Sequence, residues 1–212
     1  MFDFDGTLID TMEAHGKVAA DVIRKHFGVP VEKAMTDYYS TTGVPFPRQL
    51  DILFPDESRE KKERCAAEYD RRKADEVYRE ARLFPDIKEA LLSLDAYPLI
   101  ISTSTESSLV RKALLDHDIM KYFAWIFCRE QEEKPEHIKN VKASYDPDRI
   151  VFTGDSKKDV ELNRYDRVVT IGRYGTGRAM RTECDLLGAG ANYAINDLRQ
   201  VPSILDEINK NL

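Results

Sequence analysis

The sequence predicts an α/β protein: a doubly wound, Rossmann-like parallel sheet interrupted after its first strand by a helical insert. Three observations carry this. After Pro85, four short apolar runs (YPLIIST, WIFC, RIVFTGD and RVVTIG) alternate with polar loops or helical segments, as parallel strands do with crossover helices. Nothing from Phe27 to Ala81 reads as a strand. Polar clusters fall at the ends of the apolar runs, where such sheets bind their ligands.

The elements follow in order. Only Met1 and Phe2 precede Asp3, whereas a buried parallel strand shows roughly four to eight apolar residues. The expectation is a clipped start rather than a shortened protein, and the rigidity of Asp3 depends on it. From Met12 to Phe27 the pattern is helical, with Val18, Ala19, Val22 and Ile23 on one side and Gly28 as the stop. Short helices broken at Gly43, Pro45 and Pro47 come next. A long charged helix follows, with a thin stripe of Cys65, Ala66, Tyr69 and Val77 and a wide solvated face. ANYAI reads as an edge strand before a last helix near Leu198 to Ile208. The core is thus expected at 1–12 and 83–212, and the helical insert at 13–82.

Composition narrows the function classes. With 212 residues and 42% apolar content, the chain can build a real core. No apolar run reaches about 18 residues, and no basic-then-apolar leader is present, so no membrane segment is expected. The net charge of −6 and the lack of a basic patch argue against nucleic acid. Cys65, Cys128 and Cys184 form no CxxC pair, and the four histidines lack metal-ligand spacing. A reducing cytoplasm is the expected home. The 33% charged content leans towards a heat-adapted host. No apolar stripe marks a dimer, so a monomer is the default.

Four clusters sit at strand ends: DFDGT (Asp3 to Thr7), IISTS (Ser102), EEKPE (Lys134) and TGDSKKD (Asp155, Asp159). Each alone is ordinary: a turn, a helix N-cap, a solvated lysine. Together they are complementary. Asp3, Asp155 and Asp159 would crowd negative charge that only a cation relieves. Hard oxygen ligands without His or Cys select Mg2+. With Lys134, the ion would offset a phosphoryl group, whose other oxygens Ser102 and backbone N–H groups near Gly6 would hold. Of the two neighbouring aspartates, one must be ionised to attack phosphorus, and the other must carry a proton. Gly6 lets the chain turn sharply beside the phosphate.

These motifs closely resemble those of the haloacid dehalogenase superfamily of phosphohydrolases, across nearly the whole chain. DFDGTLID is similar to its motif I, Ser102 to motif II, Lys134 with Pro135 to motif III and GDSKKD to motif IV. The insert resembles the α-helical cap of the subfamily with phosphoglycolate phosphatase and β-phosphoglucomutase. The resemblance implies Asp3 as nucleophile and metal ligand. Asp5 would be the general acid/base, its carbonyl a further ligand. Ser102 and Lys134 would bind the phosphoryl group, and Asp155 and Asp159 would hold Mg2+. Thr103 stands where related enzymes often have Asn. An acid at Asp5 points to phosphate esters rather than haloacids or phosphonates, and Lys33, a cap lysine by position alone, is discounted. In the cap, TTGVPFPRQL supplies Thr42 and Arg48 as candidate substrate-reading residues; Arg48 could pair with a carboxylate or second phosphate. The function implied is a Mg2+-dependent phosphatase of small phosphorylated metabolites, working through an aspartyl phosphate. The alternatives are a sugar phosphomutase using the same intermediate and a non-catalytic phosphate-binding module.

Overall fold

A computed structural model describes residues 1–176 and 181–210. After the first turn the chain forms β1 (Ile9–Asp10), α1 (Met12–Phe27), α2 (Val31–Ser40), α3 (Phe46–Leu53) and α4 (Arg59–Glu76), and returns through β2 (Arg82–Leu83). It continues as α5 (Ile87–Ser93), β3 (Leu99–Ser102), α6 (Ser107–Asp116), β4 (Phe123–Phe127) and α7 (Lys134–Tyr145). Then come β5 (Ile150–Gly154), α8 (Lys157–Val160), β6 (Val168–Arg173), α9 (Glu183–Gly188), β7 (Tyr193–Ile195) and α10 (Val201–Lys210).

The main sheet is parallel. β4 pairs with β3, and β5 with β6 and then β7. Residues 1–3 join the two halves: Phe2 bridges Ile101 on one side and Thr153 on the other. Short as it is, this segment is hydrogen-bonded along its length. Phe2 N–H donates to Ile100 O (2.8 Å) and Phe2 O accepts from Ser102 N–H (2.9 Å), while Asp3 N–H donates to Thr153 O (2.9 Å). Asp3 is therefore anchored at the centre of the sheet, by its own backbone bond to β5 and through Phe2 to β3.

The core forms where the apolar runs predict. Phe4, Leu8, Ile101 and Phe152 are fully enclosed, each worth about 1.5–3 kcal/mol of burial. α1 buries Val18, Ala19, Val22 and Ile23, and packs against α2 and α4. α4 starts at Ser58, whose hydroxyl accepts from Lys61 N–H. Its thin stripe of Cys65, Ala66 and Tyr69 is buried, as is Lys73, and most of its other charged residues face outward.

β1 and β2 are the one pairing the sequence does not foreshadow, because two residues carry no periodicity. They run antiparallel, with Ile9 opposite Leu83 and Asp10 opposite Arg82. The chain leaves the sheet layer and re-enters it through these adjacent strands. Helices α1 to α4 are thereby set over the carboxyl end of the sheet, and the α2–α3 loop meets the loop after β5. At Gly43 in that loop (φ +99°), a Cβ would lie 2.7 Å from Ser156 Oγ, so this contact needs glycine.

Candidate active site

Asp3 leaves the central segment, Asp155 follows β5, and Asp159 sits in the first turn of α8. Each offers a carboxylate oxygen within 4.8 Å of the others. The α8 turn is fixed by a reciprocal cap: Ser156 Oγ accepts from Asp159 N–H, and Asp159 accepts from Ser156 N–H (3.1 Å) and Oγ–H (2.6 Å). Lys134, at the start of α7, donates from Nζ to Asp159 (2.5 Å) and lies 3.0 Å from Asp3. Burial, and then the Asp159 carboxylate, push Asp155 up to about 7, with Lys134 and Arg181 opposing. Burial likewise drives Asp3 well above the ordinary range, against the pull of Lys134. Lys134 stays charged, because Asp159 and Asp3 outweigh the burial that opposes its charge. Three carboxylates share one ammonium, two of them reluctant to ionise. That donor set fits a hard divalent cation. Gly6 (φ +72°) passes close beneath Asp155; a Cβ there would lie 2.5 Å from Asp155 Oδ2.

Asp5 is surrounded by donors. Thr11 Oγ–H (2.6 Å), Thr105 Oγ–H (2.6 Å) and Tyr78 O–H (2.8 and 2.9 Å) all reach its carboxylate. His15 Nε2 lies 3.3 Å from it, and Tyr69 O–H is 2.6 Å from His15 Nδ1. A carboxylate only accepts, so Nε2 carries a hydrogen directed at Asp5. Burial alone would raise Asp5; the bond and charge of His15, with Thr105 and Thr11, outweigh it and bring Asp5 to about 2. In this arrangement Asp5 is a carboxylate, ready to accept a proton. His15, Thr11, Tyr69 and Tyr78 all come from the cap helices or the segments flanking them.

The sequence-predicted residues fall into two groups. Asp3, Asp5, Thr42, Thr103 and Asp155 line one cavity of about 80 Å3, with Lys134 behind Asp3. Ser102 is not there. Strand alternation turns it to the opposite face of β3, where it is wholly buried and hydrogen-bonded to His137 Nδ1 (2.8 Å). His137 Nε2 meets the Gln131 carbonyl (3.2 Å), which can only accept, so neutral His137 must take the Ser102 hydrogen at Nδ1. Burial lowers His137 to about 4 and favours that neutral form. The next residue, Thr103, faces the cavity beside Ser104 and Thr105.

Arg48 also lies outside the inner cavity. It is exposed, pairs with Glu133 (3.4 Å), and lines a larger recess of about 420 Å3 beyond the Gly43–Pro45 wall. Its neighbour Gln49 is the one turned inward, 3% exposed and at the cavity with Phe46. Thr42 is at the cavity but engaged, accepting from Arg181 Nη2 (2.6 Å). Lys33 pairs with Asp37 on the exposed face of α2. Sequence reasoning also missed a charge ring across the cavity mouth. Lys73 of α4 meets Asp70 (2.8 Å) and Glu106 (3.5 Å), and Arg129 meets the same two acids from the end of β4.

A parallel α/β sheet with an acid cluster and a lysine at its carboxyl end, covered by inserted helices, defines a class of hydrolytic scaffold. The family model described as haloacid dehalogenase-like hydrolase matches residues 1–171. The chain belongs to that family and is an enzyme of the hydrolase class. No curated protein matches the sequence. Among solved structures, a hydrolase from Pseudomonas syringae superposes with a TM-score of 0.80 at 22% identity, covering 98% of this chain and 96% of that one. A predicted phosphatase from Clostridium acetobutylicum gives 0.79 at 22% identity, covering 97% and 96%. A predicted phosphoglycolate phosphatase from Haemophilus somnus gives 0.75 at 15% identity, covering 96% of each. At these identities the likeness speaks to the fold.

Proposed function

We propose that this enzyme is a Mg2+-dependent phosphatase of small phosphomonoesters that works through an aspartyl phosphate on Asp3. The observation that carries the reading is the convergence of Asp3, Asp155, Asp159 and Lys134 in one contact cluster, with Asp5 lining the same cavity as Asp3 and Asp155. Asp3, Asp155 and Asp159, with the Asp5 carbonyl, would hold Mg2+. When bound, the ion would neutralise these carboxylates and the oxygens of the transferring phosphoryl group. Anchored by the sheet, Asp3 presents a carboxylate oxygen to phosphorus. Lys134 orients it and offsets incoming charge.

Thr103, with Ser104 and backbone N–H groups near Gly6, receives phosphoryl oxygens, because the Ser102 hydrogen is committed to His137. Asp5 divides its work between two steps. A phosphoryl dianion entering the cavity raises its affinity for a proton by repulsion, and that proton goes to the leaving alkoxide. Once the alcohol departs, the donors from Thr11, Thr105, Tyr78 and His15 favour the carboxylate, which takes a proton from the attacking water. The narrow inner cavity supports small substrates.

The test is phosphate release from a panel of phosphomonoesters with and without Mg2+. Asp3→Asn is expected to abolish turnover, and chelation to abolish it reversibly. Equal turnover by wild type and Asp3→Asn would remove Asp3 as nucleophile. A sugar phosphate returned as its isomer, without free phosphate, would make the enzyme a mutase.

A further inference from the structure

Arg173, at the end of β6, is a buried charge that the proposed chemistry does not use. It is 3% exposed and touches three places. Nη1 donates to the Thr7 carbonyl (2.9 Å), Nη2 donates to Asp86 Oδ1 (2.9 Å), and the guanidinium lies 4.4 Å from the Phe84 ring centroid. Thr7 closes the turn that carries Asp5 and leads into β1. Phe84 and Asp86 directly follow β2. One guanidinium thus grips the core-side ends of both strands that connect sheet and cap helices.

Two further observations show that the grip is not incidental packing. Asp86 stands at the N-cap of α5, where an aspartate ordinarily accepts from the helix's own N–H groups. It makes no such bond. Its carboxylate goes instead to Arg173 and to Leu198 N–H (2.6 Å). Arg173 Nε and Thr7 Oγ1 are also buried without a hydrogen-bond partner among the described residues. Unpaired buried polar atoms are costly, so the guanidinium is placed for its contacts to Thr7 and Asp86 rather than for its own satisfaction.

The two aspartates of the turn depend on this grip unequally. Asp3 is fixed by ladder bonds to the sheet. Asp5 lies beyond the main sheet, bridged, among the described residues, only to Ile9 within its own turn, two residues before the carbonyl that Arg173 holds. We propose that Arg173 is a positioning residue for Asp5: it sets the turn that presents the proton carrier, and so governs proton transfer to the leaving group rather than phosphoryl capture by Asp3. This rests on the phosphatase reading above.

The experiment compares wild type, Arg173→Lys, Arg173→Met and Asp86→Asn in single-turnover phosphorylation with Mg2+. One substrate is p-nitrophenyl phosphate, whose leaving group departs without a proton. The other is an alkyl phosphate, whose alkoxide needs one. General acid help is worth about 10²–10⁴-fold. Arg173→Met and Asp86→Asn are therefore expected to lose at least about tenfold more rate on the alkyl than on the aryl substrate, with Arg173→Lys partly restored and KM changed little. A loss equal on both substrates would assign the pair to stability alone and overturn the proposal. So would unchanged rates, or a failure of all three variants to fold. Wild type inactive on both substrates would instead remove the phosphatase reading, and this inference with it.

Discussion

The acid cluster makes stability, pH and Mg2+ depend on one another in a way that can be worked out beforehand. Asp155 is brought to about 7 in the folded protein, against about 3.9 in an unfolded chain. Between these values the folded protein keeps a proton that the unfolded chain has lost. The Asp155 contribution to metal-free stability therefore falls as pH rises through about 4 to 7, and levels off above. At about 1.4 kcal/mol per pH unit the ceiling is about 4 kcal/mol. Asp155 is only half-buried, so solvent screening trims this to about 2–4 kcal/mol. Asp3 acts in the same direction. Mg2+ favours the ionised carboxylates and reverses the loss; at 1,000 times its Kd a ligand adds about 4 kcal/mol. For a chain of this size each kcal/mol moves Tm by about 2–4 °C. The assay is thermal unfolding by circular dichroism from pH 5 to 8, with EDTA or saturating MgCl2. Mg2+ is expected to raise Tm by about 4–16 °C at pH 8. The rise should be much smaller at pH 5, where binding must displace protons. His137, lowered to about 4, tilts both curves the other way, because the unfolded chain binds its proton first between about 6.5 and 4. That slope is common to both conditions and cancels in the difference. Asp155→Asn should flatten the difference. A Mg2+ increment equal at pH 5 and 8, or undiminished in Asp155→Asn, would refute the cluster as the metal site.

Two further outcomes separate neighbouring residues. Thr103→Val should lower kcat/KM by about 10²-fold, as loss of one oxyanion donor does, while Ser102→Ala should leave turnover near wild type and cost about 1–3 kcal/mol by stranding His137 Nδ1; steady-state kinetics and urea melts on both variants check this, and the opposite pattern would return the phosphoryl contact to Ser102. His15→Gln weakens the set of donors that keeps Asp5 near 2, so the acidic limb of the pH profile for hydrolysis of the aspartyl phosphate, the step in which Asp5 is the base, should move to higher pH; a profile that does not move would detach His15 from Asp5.

How far the sequence reaches depends on which physical signal places each residue. Asp3, Lys134, Asp155 and Asp159 are legible because apolar runs end abruptly beside them, and a parallel sheet brings those ends together whatever else the chain does. The step from Ser102 to Thr103 is not. ISTST offers three hydroxyls in a row, and a one-residue shift of register exchanges the two faces of a strand. Only the pairing of β3 with the Met1–Asp3 segment decides it, with Ser102 N–H bonded to Phe2 O. Gln49 could have been found. Phe46, Gln49 and Leu50 are spaced i, i+3, i+4 on α3 and are all buried, which leaves Arg48 outside. The ring of donors around Asp5 had no such handle. His15, Tyr69 and Tyr78 come from two helices about fifty residues apart and the turn after the second. Tyr69 does pack as its stripe predicts, stacked on Phe46 at 4.1 Å, and only its hydroxyl reaches His15. The protonation of Asp5 is therefore a property of the cap as much as of motif I. A carboxylate that must be an acid in one half of a reaction and a base in the other needs surroundings that change between the two. Donors carried on the inserted helices can make that change, whereas groups fixed in the sheet cannot.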